Sequence, residues 1–152
     1  MRAMSSRVRR VSSATQRIGP RRSGRRLKRL DGAIGCGVDV VELSRFRQAV
    51  RRGGAAFLRR IFTERERAYA RERSRMELLH LAGRFAAKEA VIKALSQIDP
   101  RHVPTMSQVE VRNDALGRPH IILHGRRSVG VRLHVSLSHV KSVAVASAIA
   151  TR

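Results

Sequence analysis

The 152-residue chain has one cysteine, no tryptophan and one tyrosine, and its 11 acidic residues face 33 lysines and arginines. A single Cys36 excludes an internal disulfide framework and suits a reducing compartment, the cytoplasm. Within "AIGCGVDVV" it reads as a small buried residue rather than a nucleophile. No run of 18 apolar residues occurs, so no membrane span is expected. Four phenylalanines and that one tyrosine are too few and too scattered for a base-stacking platform. Zinc-ligand, RRM and helix-turn-helix signatures are absent.

What is present is charge. The net +22 demands an anionic partner: nucleic acid, an acidic protein, a phosphorylated small molecule or a membrane surface. Residues 1–30 carry eleven of the basic residues and no acid, which leaves 22 basic against 11 acidic residues in the remainder. The opening stretch lacks a periodic apolar face, so residues 1–31 are expected to be a disordered basic arm and residues 32–152 a single domain. The arm is Arg- and Ser-rich as transit peptides are, and Arg9-Arg10 is a twin-Arg pair, but no apolar segment follows. A hydrophobic content of 42% suffices for one domain with a real core.

Alternation in "AIGCGVDVVEL" predicts a strand from about Ala33 to Val41. A first helix is expected from Ser44 to Arg51, ended by Gly53-Gly54, and a second opens with a capping box, Thr63 to Glu66. A long helix follows from about Met76 to Leu95. "SQVEVRND" and "PHIILHG" form two strands about "NDALGRP", a short helix lies near Arg126 to Val131, and "HVSLSH" with "SVAVASAIA" makes a second hairpin. Strand, helices, then strands argue for an α+β fold, with an antiparallel sheet packed on the long central helix.

Two carboxylates stand in apolar surroundings. In "LLHLAGRFAAKEAVIKAL", Leu78, Ala82, Phe85 and Ala86 define one stripe of the long helix and Glu89 falls within it, while Arg84 and Lys88 point elsewhere. Glu89 and Lys93 are also, taken alone, an ordinary i,i+4 helix pair. Asp39 interrupts the first strand, where it would otherwise serve as a cap for the first helix. A carboxylate on a core-facing stripe is costly unless paired or metal-bound. Two of them on elements able to pack together suggest a shared hard cation such as Mg²⁺, which takes one or two carboxylates and leaves its other positions to water and phosphate.

"IGCGVDVVELSR", "RFAAKEAVIKAL" and "HVSLSH", in this order and with "IFTERE" and "NDALGRP" between them, resemble the signature segments of holo-acyl-carrier-protein synthases, the small bacterial 4′-phosphopantetheinyl transferases. The resemblance runs from about Ala33 to Ala150. It implies Mg²⁺-dependent transfer of phosphopantetheine from coenzyme A to a serine of an apo acyl carrier protein, releasing adenosine 3′,5′-bisphosphate, a step of fatty-acid biosynthesis. By that resemblance Asp39 and Glu89 hold the metal on the coenzyme A pyrophosphate, and Lys93 stabilises or protonates the leaving phosphate. It further implies that Arg84, Lys88 and His139 contact coenzyme A phosphates, that Arg45 meets the acidic carrier, and that the enzyme is a homotrimer. Each has a plainer reading: Arg84 and Lys88 as a solvated helix face, His139 as a turn residue, Arg45 as surface charge. Ser136 and Ser138 face either the ligand or nothing in particular. One departure stands out: Ser96-Gln97-Ile98-Asp99-Pro100 replaces a Gly-Thr-Gly-type loop, which removes the glycines that a close backbone approach of the pantetheine there would use.

The competing reading is a basic nucleic-acid-binding module, supported by the charge and the arm. The acidic carrier and the phosphates of coenzyme A account for the same charge, so specific nucleic-acid and membrane partners are not expected.

Overall fold

The computed structural model describes residues 34–125 and 130–152. The expected basic arm lies outside them, as does most of the expected helix near Arg126 to Val131. Among the described residues the elements run β1 (Ile34–Glu42), α1 (Leu43–Ile61), α2 (Glu64–Arg71), α3 (Glu77–Ile98), β2 (Val109–Asn113), β3 (Pro119–Leu123), β4 (Arg132–His139) and β5 (Val143–Thr151). β1, β5 and β4 form an antiparallel sheet in that order, and β2 and β3 pair separately as a hairpin. The architecture is α+β, with α3 at its centre.

Gly53-Gly54 break the first helix as expected, and the span to Ile61 is two helical segments meeting at a kink. Gly54 takes φ 53°, ψ −148°, a conformation open to glycine, and the helix resumes through Ile61. At Thr63 the expected capping box is complete: its hydroxyl accepts from the Glu66 amide while the Glu66 carboxylate accepts from the Thr63 amide at 2.8 Å.

α3 lies unusually close to the sheet because both surfaces are small. β5 turns Ala144, Ala146, Ala148 and Ala150 inward, and α3 meets them with Ala86, Ala87, Ala90 and Ala94, all buried. β1 contributes Gly35 and Gly37, where an added Cβ would stand 1.9 Å from the Ala94 carbonyl oxygen and 2.0 Å from that of Ala90. These two glycines set the separation between α3 and β1. On the opposite side of α3, Phe85 packs 5.5 Å from Phe46 of α1, which also meets Phe57 and Phe62.

The alternation that points Gly35, Gly37 and Asp39 at α3 turns Ile34, Cys36, Val38 and Val40 away from it. Cys36 is therefore exposed, contrary to the expectation that it is buried.

Candidate active site

β1 runs antiparallel to α3, so Gly35 lies against Ala94 and Gly37 against Ala90 and Lys93. Continuing that register brings Asp39 alongside the turn that carries Glu89. Lys93 donates from Nζ to Asp39 Oδ1 at 2.8 Å and to the Val38 carbonyl at 2.9 Å. The Asp39 carboxylate is largely sheltered and the Lys93 side chain is half-exposed. Lys93 thus pairs across to β1. Among the described residues no ion pair joins it to Glu89, the ordinary i,i+4 alternative.

Glu89 is half-buried, at the margin of the helix surface rather than within a core-facing stripe. The residues expected to point outward are the enclosed ones. Arg84 retains 5% of its accessible surface and Lys88 none. The single-stripe reading fails because α3 is covered on both sides, by the small-residue sheet and by α1, α2 and β2.

The placement expected for Lys88, facing a coenzyme A phosphate, is corrected by its contacts. Its ammonium lies 2.7 Å from Glu66 Oε2 and donates to the Ile61 carbonyl at 2.7 Å and the Met106 carbonyl at 3.0 Å. Three donors meet three acceptors, and none is left for a ligand. Burial pushes the Lys88 ammonium below the ordinary lysine range, and the Glu66 charge opposes that shift. Glu66 Oε1 meanwhile accepts from the Val111 amide at 2.9 Å, tying α2, α3 and β2 to one carboxylate.

Arg84 anchors a second, cationic cluster. Its Nη2 donates to Asn113 Oδ1 at 2.9 Å, its Nη1 to the His80 carbonyl at 3.4 Å, and its guanidinium carbon lies 4.0 Å from the centre of the Tyr69 ring. Arg73 lies over the same ring at 3.7 Å. Asn113 is fixed in turn by donating to the Gly117 carbonyl at 2.8 Å, within the turn that Asp114 organises. Among the described residues the Arg84 Nε is buried without a hydrogen-bond partner. Burial, then the charges of Arg84, Arg73 and His139, push the His80 imidazole below its ordinary value. His139 itself ends β4, exposed, and Ser136 and Ser138 are exposed on the same strand. Tyr69, Asn113 and His80 were not singled out from the sequence, because each reads alone as an ordinary helix or turn residue.

Asp39 on β1 and Glu89 on α3 are carboxylates, oxygen donors of the kind Mg²⁺ takes. Lys93 already places an ammonium against Asp39 Oδ1 at 2.8 Å, so a divalent cation would take that oxygen once the ammonium has moved aside. Among the described residues no group of three or more His, Cys, Asp or Glu stands ready to hold a metal without help from water or ligand. Arg45 stands apart, exposed on α1 among Arg47, Arg51 and Arg52, with no acid in the helix's first turn. No described helix is long and apolar enough to cross a membrane.

The model of the family described as the 4′-phosphopantetheinyl transferase superfamily matches residues 35–148. The chain is 38% identical over 119 residues to the holo-[acyl-carrier-protein] synthase of Protochlamydia amoebophila, covering 76% of this chain and 96% of that protein. It is 41% identical over 123 residues to the synthase of Clostridium perfringens, covering 74% and 90%. Among solved structures it is similar to the ACPS–CoA complex of Chronobacterium ammoniagenes, with TM-score 0.66, 35% identity and coverage of 78% and 96%. It is likewise similar to the Bacillus anthracis holo-(acyl-carrier-protein) synthase in complex with CoA (3′,5′-ADP), with TM-score 0.64, 35% identity and coverage of 77% and 95%.

Proposed function

Since the chain belongs to the 4′-phosphopantetheinyl transferase superfamily, as one of its holo-[acyl-carrier-protein] synthases, we propose that it transfers 4′-phosphopantetheine from coenzyme A to a serine of an apo acyl carrier protein, with Mg²⁺ and with release of adenosine 3′,5′-bisphosphate. The observation that carries the reading is the meeting of Asp39 and Lys93 across the α3–β1 seam, with Glu89 one helical turn before Lys93. Asp39 and Glu89 would hold Mg²⁺, and the ion would supply charge neutralisation, which is what phosphoryl transfer chiefly needs.

The serine oxygen bonds to the phosphorus nearer the pantetheine, and the bond from that phosphorus to the bridging oxygen breaks. Lys93, half-exposed and able to swing from Val38, stabilises or protonates the phosphate that leaves. The serine proton passes through a water to the carboxylate of Asp39 or Glu89. The positive charges of Arg84 and the Arg73 beside it, with the exposed His139, attract the coenzyme A phosphates. Lys88, enclosed by its own acceptors, serves by fixing α3 beneath Glu89.

The acidic carrier docks on the basic surface of α1, where Arg45 presents its guanidinium. The outer face of the sheet exposes Ile34, Val38, Val40 and Ile149 by 56%, 58%, 63% and 49%. In the homotrimer two further copies would cover this apolar face. The test is chromatography of a mixture of the protein, coenzyme A, Mg²⁺ and apo carrier. Adenosine 3′,5′-bisphosphate should accumulate only when all four are present. Carrier-independent release would point to a hydrolase instead.

A further inference from the structure

Among the described residues β1 is an edge strand, and the edge away from β5 is where α3 attaches to it by polar contacts. Cys36 and Val38, two residues apart, turn their peptide groups to that edge. Their partners come from one face of α3. Lys93 reaches the Val38 carbonyl, and Gln97, one turn later, takes both groups of Cys36: the Cys36 amide donates to Gln97 Oε1 at 3.1 Å, and Gln97 Nε2 donates to the Cys36 carbonyl at 2.5 Å. The spacings agree, since two strand residues and four helical residues each advance roughly 6–7 Å. Gln97 stands where the family resemblance would place a glycine-rich loop, and here the helix continues through it to Ile98.

We infer that Gln97 is a positioning residue for the Asp39–Lys93 pair, holding β1 to α3 by a two-point amide clamp. The inference rests on the reading of Asp39, Glu89 and Lys93 as the phosphoryl-transfer site. Lys93 has two incompatible tasks. At rest it ties Val38 and Asp39 to the helix, and in the reaction it must leave them for the phosphate. Without another polar tie on this edge, its departure would loosen the seam that sets Asp39 against Glu89. The clamp at Cys36 keeps the seam closed while Lys93 moves. Gly35 and Gly37 make the seam tight, and Gln97 makes it independent of the catalytic lysine.

The test replaces Gln97 by methionine, which keeps the length and removes both hydrogen bonds, and reads three quantities in the full chain. Amide hydrogen exchange at Cys36 should become markedly faster in Gln97→Met while exchange at Ala146, inside the sheet, is unchanged. Turnover should fall roughly ten- to hundredfold, the penalty for misplacing reacting groups by about 1 Å, with the KM for coenzyme A little altered. The Mg²⁺ concentration for half-maximal rate should rise, which a merely structural loosening far from the carboxylates would not produce. Unchanged Cys36 exchange would remove the clamp. Faster exchange with wild-type turnover and Mg²⁺ dependence would remove the positioning role. A wild-type chain that transfers nothing would instead refute the functional reading on which the inference rests.

Discussion

Lys88 Nζ lies 2.7 Å from Glu66 Oε2, and both side chains are closed off from solvent. The pair joins the start of α2 to the middle of α3, one residue before Glu89. Buried charges tolerate this only when fully satisfied, and here the Ile61 and Met106 carbonyls and the Thr63 and Val111 amides complete the set. Replacing Lys88 by methionine should cost about 3–5 kcal/mol, because Glu66 is left charged and unpaired. Adding Glu66→Gln to that variant should restore part of the loss. Urea denaturation of wild type, single and double variants measures both effects.

The two seam glycines should prove intolerant for a steric reason. Gly35→Ala and Gly37→Ala would drive a methyl group into a helix carbonyl, costing about 1–3 kcal/mol or more as α3 shifts away from β1, and transfer should fall further than stability. Gly83→Ala is the control, since its new Cβ would meet only Leu137 at an ordinary 3.6 Å. That variant should be neutral or gain up to about 1 kcal/mol from helix propensity. Melting curves beside transfer rates make the comparison.

Removing either carboxylate separates chemistry from folding. Asp39→Asn and Glu89→Gln should each lower transfer by about 10²–10³-fold, the worth of several kcal/mol of metal charge stabilisation. Both positions are partly solvated, so stability should change by less than about 1 kcal/mol. Full activity of Glu89→Gln at saturating Mg²⁺ would contradict the metal role.

These outcomes also mark what the chain disclosed before its structure. Asp39 stood out as a carboxylate interrupting an apolar strand, and the capping box at Thr63 was legible because its spacing is local. The burial of Lys88 in place of Glu89 was not. A helical wheel assumes one covered face, and α3 is covered on two. Nor did "GCG" disclose that its glycines face a helix backbone, since that depends on what packs against β1. The cluster around Arg84 draws Tyr69, His80 and Asn113 from three elements, and no sequence spacing links them.

Acidification should act through His80. Its imidazole is held below the ordinary value of 6.5 by burial and by Arg84, Arg73 and His139, so below about pH 6.5 the unfolded chain binds a proton that the folded chain resists. Stability from this group is complete above that pH and is lost as the pH falls from 6.5 toward the lowered folded value. The melting temperature should therefore drop less between pH 7.5 and 5.5 in His80→Gln than in wild type. An equal drop in both would assign the pH dependence elsewhere.

Carrier recognition should be separable from coenzyme A binding at Arg45. Arg45→Glu reverses one charge on the exposed basic face of α1 and should raise the apparent KM for carrier while leaving that for coenzyme A unchanged. Added salt should weaken wild-type carrier binding steeply, since contacts on a solvated rim are screened within about 10 Å at 0.1 M ionic strength. Steady-state kinetics at several salt concentrations tests both.

The transfer itself is tested most directly by the intact mass of the carrier. An apo carrier already known to be modified by an authentic synthase is incubated with this protein, coenzyme A and Mg²⁺, then weighed. The account predicts a gain of one phosphopantetheine group on a serine, abolished by chelating the Mg²⁺ and strongly slowed by Asp39→Asn or Glu89→Gln. A carrier that stays at its apo mass with folded wild-type protein, while the authentic synthase converts the same sample, would contradict it.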